Sequence, residues 1–258
     1  MSTFQIGGNF LVIEDGMVSV SSQDSNYPKK NMLNLANLRR HYRTATVTAW
    51  KDIIIDFGSA RVVRGVMLND VNFMTATIQG TNTSFISPEF SLPVTISIDE
   101  RVNRRKIFTT LSGFIYRYLR VAIPFQTPTD GASYFRVGTL VCAGSVLEFA
   151  SNPSYPYQYS APYPEPKAVR FPTGGIEQVD MGSYKVWKGA FSFQTAVKTT
   201  ETDMWTLAAL KPTDYLIFAE NRGDSSKAYL CKQSSMMEIE EIYHNIFRTN
   251  SIELGETI

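Results

Sequence analysis

The sequence predicts a mostly β protein, and three observations carry the prediction. Apolar residues recur at every second position or in short runs closed by turn residues, which is the period of a strand. Helical spacing is confined to one short stretch around Trp205. In the first half, the spacing of the strand-like runs suggests one sandwich.

Taken in order, strands are expected at Phe10 to Ile13, Met17 to Ser21, Asp52 to Phe57, Val62 to Asn69, Thr75 to Gly80, Val94 to Ile98, Tyr118 to Ile123 and Phe135 to Cys142. In the second half, Gly174 to Tyr184 and Trp187 to Ala196 read as successive strands. Tyr215 to Glu220, Ala228 to Lys232 and Met236 to Phe247 continue the pattern. The one helix has Thr200 as N-cap and Asp203 as return partner, an apolar face of Met204, Leu207, Ala208 and Leu210, and Pro212 as its stop. Asn221 to Asp224 reads as a hairpin turn, and the Arg222-Gly223-Asp224 tripeptide within it as turn composition rather than an integrin ligand.

Between the halves, Pro153, Pro156, Pro162, Pro164 and Pro166 alternate with Tyr155, Tyr157, Tyr159 and Tyr163. Proline at that density is expected to break any regular ladder and to leave an extended, semi-rigid spacer. This divides the chain into a β-sandwich over 1–150, a Pro/Tyr-rich linker over 151–167 and a β-rich domain with one short helix over 168–258. The linker tyrosines have two readings, stacking on the flanking domains or insertion into a neighbouring subunit.

Composition excludes several classes of function. A chain of 258 residues builds its core without staples, and Cys142 and Cys231 lie too far apart in apolar or mixed surroundings to suggest a metal cluster or a disulfide framework. Net charge is +1, so no overall field draws the chain to nucleic acid or anionic lipid. The basic runs Arg39, Arg40, Arg43 and Arg101, Arg104, Arg105, Lys106 are short, lie near expected turns and read as solvated or subunit-facing charge. No apolar run approaches the roughly 20 residues of a membrane span, and the N-terminus lacks a signal-peptide pattern, so folding in a cytoplasm is expected. Charged residues make up only 19% of the chain, below the usual quarter, which suits a surface partly buried against other subunits.

Catalytic signals are missing. His41 and His244 stand outside any motif and read as hydrogen-bonded structural imidazoles. Nucleophile elbow, phosphate-cradling loop and zinc helix are all absent, so no enzyme activity and no cofactor are expected. Glu238 and Glu240 would share one strand face with Glu241 on the other, an exposed acidic edge rather than a glycosidase pair.

Asn31-Met-Leu-Asn34, Trp50, Ile53-Ile-Ile-Asp-Phe-Gly58, Val62-Val-Arg-Gly-Val-Met-Leu68, Tyr118-Leu-Arg-Val-Ala-Ile123 and Phe135-Arg-Val-Gly-Thr-Leu140 follow one another in an order that resembles the galactose-binding-like, discoidin-type jelly roll. The physical core of the likeness is an apolar strand ending at a glycine turn, a second strand stacked on it, and late paired strands closing the sandwich. That family often binds sugars or membranes through loops at one end. The loops after Asn69 and Thr81 hold no concentration of Trp, Asp and Arg to grip a sugar, and Trp50 is expected in the core or at its rim.

With Val186-Trp-Lys-Gly-Ala-Phe-Ser-Phe193, the helix around Trp205 and the Tyr215-Leu-Ile-Phe-Ala219 strand, the whole arrangement resembles a bacteriophage distal tail or baseplate protein. The resemblance implies a non-enzymatic structural protein of the virion tail tip: a homo-oligomeric ring, built by the 168–258 domain, that joins the tail tube to baseplate or receptor-binding parts. Its partners would be itself and other tail-tip, tail-tube and baseplate proteins, with no nucleic acid and no membrane insertion. Tyr155, Tyr157, Tyr159, Tyr163 and Trp187 are the expected subunit contacts. The alternative is a carbohydrate-binding adhesin module that contacts a surface glycan of the host cell.

Overall fold

The computed structural model describes residues 5–35, 40–99, 104–148, 154–160, 167–170, 176–179, 186–190, 192–194, 202, 205–220, 224, 227–233, 236–243, 246–249 and 252–256. The first half holds β1 (Gln5–Phe10), β2 (Val18–Val20), β3 (Tyr42–Arg43), β4 (Lys51–Val62), β5 (Gly65–Val71), β6 (Thr75–Thr81), β7 (Phe90–Thr95), β8 (Ser97–Asp99), β9 (Arg104–Thr110), β10 (Ile115–Ile123) and β11 (Arg136–Glu148). The second half adds β12 (Ser154–Ser160), β13 (Lys167–Arg170), β14 (Ile176–Val179), β15 (Val186–Ala190), β16 (Ser192–Gln194), β17 (Tyr215–Ala219), β18 (Ala228–Gln233), β19 (Ile239–Tyr243), β20 (Ile246–Thr249) and β21 (Ile252–Glu256). The protein is mostly β, as its periodicity predicts.

Two sheets face each other across the main core. The front sheet is 5-stranded, in the order β2-β4-β10-β6-β7. The back sheet is 11-stranded, in the order β12-β15-β21-β18-β17-β1-β11-β5-β9-β8, with β3 paired onto β11. Every pairing is antiparallel. Period two decides which side chains fill the space between the sheets. On β4, Ile53, Ile55 and Phe57 are buried while Asp52, Ile54 and Asp56 alternate outward. Leu119 and Val121 on β10 and Ile78 on β6 meet Val66 and Leu68 on β5 and Leu140 and Cys142 on β11.

Several expectations change. The runs expected as single strands at Val94 to Ile98 and Trp187 to Ala196 are each divided between two sheets, as β7 and β8 and as β15 and β16. The first strand begins at Gln5, ahead of Phe10, because Gly7 and Gly8 carry no strand signal yet are what the packing needs. A Cβ on Gly8 would stand 2.5 Å from Leu207 Cδ2 and 2.7 Å from Leu210 Cδ1, so the helical segment 205–208 lies directly on β1. The strand expected to end at Phe57 runs on to Val62. Gly58, at φ 74°, absorbs an irregularity there, with a register shift between Tyr116 and Tyr118 on the partner strand. The segment Met236 to Phe247 holds two paired strands, β19 and β20, rather than one.

The basic run expected near a turn lies partly on β9, where Lys106 is buried with its ammonium 3.8 Å from the Tyr229 ring centroid on β18. The Pro/Tyr segment, expected to hold no ladder, pairs as β12 with β15, and the register shifts between Ser154 and Gln158. Proline is compatible with that position because β12 ends the strand order and Pro156 falls within the irregular stretch. Thr200, Asp203 and Met204, assigned to the helix start, lie outside the described residues.

The halves share one sheet. β1 hydrogen-bonds to β11 on one side and β17 on the other. The back sheet then curls, so that Met67, Phe108 and Val141 pack against Ile217, Ala219 and Leu230. Phe108 sits in a slot left by glycine: a Cβ on Gly65 would meet its ring at 2.7 Å, and one on Gly7 at 3.0 Å. Ile6, Leu147, Leu207, Phe218, Tyr229 and Cys231 form a further core under the helix.

Candidate functional site

The outward face of the front sheet carries the most chemically organised concavity. Register brings its members together: Asp52 on β4 is opposite Ala122 on β10, and Arg120 on β10 lies between Ile54 on β4 and Gln79 on β6. Thr77 and Gln79 on β6 face Pro93 and Ser91 on β7. The short side chains of Thr77, Ser91, Pro93 and Ala122 leave a depression of about 510 Å³, which Trp50, Asp52, Gln79 and Arg120 also line.

Arg120 is held in place. Its Nε donates to Gln79 Oε1 at 2.6 Å, Nη2 donates to the same oxygen, and Nη1 lies 4.0 Å from Asp52 Oδ2. The guanidinium also sits 4.6 Å from the Phe85 ring centroid, and Phe85 meets Tyr118 edge-on. Trp50, expected in the core or at its rim, is 62% exposed at the start of β4. It stands one residue before the strand, on the outward parity of Asp52 and Ile54. The depression therefore offers an indole surface, a carboxylate acceptor, an amide and a locked donor fork, with the two formal charges cancelling.

A second concavity, of about 460 Å³, lies among Tyr27, Lys30, Asn31, Arg40 and His41. His41 stacks on Tyr27, with ring centroids 5.0 Å apart and an interplanar angle of 13°. It accepts a 2.6 Å hydrogen bond at Nε2 from Arg43 Nε, the structural role expected of this imidazole. Arg43 in turn packs on Tyr27 at 3.6 Å and Tyr134 at 4.4 Å.

Of the expected subunit contacts, Tyr155, Tyr157 and Tyr159 lie on β12 and Trp187 on β15, with Tyr159 and Trp187 directly paired in register. Tyr163, His244 and Arg222-Gly223 fall outside the described residues. Glu238, Glu240 and Glu241 are exposed, and Glu240 pairs in register with Arg248. Among the described residues, no three His, Cys, Asp or Glu side chains converge to hold a metal ion, and no helix is long and apolar enough to cross a membrane.

Trp50, Asp52, Gln79 and Arg120 were not legible as a set. They come from three strands and one strand entry, and no sequence spacing joins them.

Fold and site together define an antiparallel β-sandwich protein with a polar, aromatic-edged depression on one sheet. No protein-family model matches the chain, and no curated protein matches it. Similar solved structures include a mutant Ruminococcus gnavus GH29 fucosidase in complex with fucose, 14% identical over 50% of this chain and 25% of that one, at a TM-score of 0.39. The lectin domain of lectinolysin complexed with Lewis B antigen is 12% identical over 50% of this chain and 92% of that one, also at 0.39. Reduced XRCC1 bound to the DNA pol beta catalytic domain is 12% identical over 54% of this chain and 98% of that one, again at 0.39. These likenesses concern about half of this chain, and none of their ligands is assigned to it on that ground.

Proposed function

We propose that this protein is a non-catalytic carbohydrate-binding module that takes an uncharged saccharide on the outward face of its front sheet. The observation that carries the reading is Trp50, 62% exposed beside Asp52, Gln79 and Arg120. A pyranose presents an apolar C–H face and a rim of hydroxyls. The indole covers the first, and the carboxylate, amide and guanidinium exchange hydrogen bonds with the second. Because Gln79 and Phe85 already hold Arg120, little side-chain entropy is lost on binding.

The test is calorimetric titration of the full chain with a panel of neutral oligosaccharides, repeated on Trp50→Ala. At least one saccharide is expected to bind, and the variant to weaken it about tenfold or more, as loss of an interface aromatic does. Melting should shift little, since Trp50 is exposed. Absence of binding across the panel, or unchanged affinity in the variant, sinks the reading.

A second reading, assembly within a virion tail tip or baseplate, is favoured by one feature. Among the described residues, strand β12 ends the back sheet's order and carries Tyr155, Tyr157 and Tyr159, and an outer edge of that kind can take a further strand. In this reading those tyrosines, Tyr163 and Trp187 contact neighbouring copies in a closed ring that joins the tail tube to baseplate or receptor-binding proteins. Light scattering over a concentration series tests it. A ring of fixed mass supports it, and a strict monomer overturns it.

A further inference from the structure

We propose that the concavity between Lys30 and Arg40 is an anion subsite for the carboxylate or sulfate group of an acidic saccharide that also occupies the front sheet. This rests on the saccharide reading of the front sheet and adds a charge class that the front sheet lacks. There, Asp52 offsets Arg120. Here the lining carries Lys30, Arg40 and His41 and no carboxylate, and both cations are exposed. Neither joins an ion pair among the described residues. Asp24, outside the lining, accepts from the Asn26 amide at 2.9 Å, and Asp15 lies 3.9 Å from Lys29.

The wall of the subsite is built rather than incidental. Tyr27 and His41 are stacked, and Arg43 packs on Tyr27 while donating to His41, which sets a third positive charge beside the rings. Asn31 Nδ2 donates to the His41 carbonyl at 3.1 Å, and the Arg43 amide donates to the Tyr27 carbonyl at 3.2 Å. An oxyanion entering between Lys30 and Arg40 would meet two charge-assisted donors over a fixed aromatic floor.

The two concavities are also joined through the chain. The Ser21 amide donates to the Asp52 carbonyl at 3.0 Å, and Ser21 Oγ accepts from the Asp52 amide at 2.8 Å. From Ser21 to Asn26, on the lip of the subsite, the chain spans at most about 17 Å. A saccharide of several units covers that distance, with an uncharged residue over Trp50 and an acidic one against Lys30 and Arg40.

Calorimetry on the full chain compares three probes at low and high sodium chloride: an oligogalacturonide, its carboxyl-reduced neutral counterpart, and a sulfated form of that counterpart. At least one acidic probe should bind about tenfold tighter than the neutral one at low salt, the yield of two exposed charge contacts. The preference should collapse at high salt. Which acidic probe is preferred tells carboxylate from sulfate. In Lys30→Gln/Arg40→Gln the preference should disappear while neutral binding is unchanged, which also shows that the variant is folded. If both acidic probes bind no better than the neutral one, or if the variant keeps the preference, the anion subsite is overturned and the front-sheet reading stands. If no probe binds and Trp50→Ala changes nothing, both fall together.

Discussion

Arg120 shows how a side chain becomes usable by being held. Without Gln79 Oε1 accepting from it and Phe85 beside it, the guanidinium would sample many rotamers over the front sheet, and each bound hydroxyl would pay for ordering it. Gln79→Ala is therefore expected to weaken saccharide binding severalfold with little change in melting temperature, a separation that calorimetry and thermal unfolding measure together.

Asp56 is a second residue set by its neighbour. Arg117 donates through Nε and Nη2 to its two oxygens at 2.8 Å each, and that contact holds the carboxyl below its ordinary 3.8. A carboxyl depressed in the folded state adds stability above its unfolded value, about pH 4, and loses it as pH falls through the folded value. Solvent exposure keeps that contribution small. Carboxyl NMR should place the Asp56 midpoint below 3.8 and return it there in Arg117→Ala; an ordinary midpoint in the parent protein would contradict the pairing. Burial acts the other way on Cys142, pushing its thiol up to about 12. Both cysteines are buried, so a disulfide reagent at pH 8 should label neither in the native protein and both after unfolding.

At the scale of elements, glycine governs how strands stack. Phe108 on β9 lies over Gly65 on β5 and Gly7 on β1, and a Cβ on Gly65 would overlap an aromatic ring that has no flexible end to move aside. Gly65→Ala should cost about 1–3 kcal/mol in denaturant unfolding, the range for overpacking a filled core. A neutral result would mean that the ring is free to shift. The front sheet shows the complementary device, since the small residues on β6, β7 and β10 are what keep its depression open.

For the whole molecule, β1 is the joint. It is hydrogen-bonded on both edges, and the curled back sheet buries Met67, Phe108 and Val141 beneath β17 and β18. A fragment of residues 1–150 would leave that apolar surface bare and one edge of β1 open. It should melt below the full chain and aggregate in a concentration-dependent way. A fragment as stable and monodisperse as the full chain would show that the two halves do not support each other.

The strands that line the core were legible because period two is a local property. Ile53, Ile55 and Phe57 announce β4, and Thr75 to Thr81 reads as β6 almost to the residue. Glycine-rich β1 and proline-bearing β12 were not, because each owes its ladder to neighbours far along the chain. The class of fold, the near-neutral charge balance and the scarcity of catalytic motifs all follow from residue types and short spacings. Folding alone puts Trp50 toward solvent, sets Asp52, Gln79 and Arg120 on one face, and gathers Tyr27, Lys30, Arg40 and His41 around a concavity. Cross-strand register and loop packing set those neighbours, and neither is written in the spacing of residues along the chain.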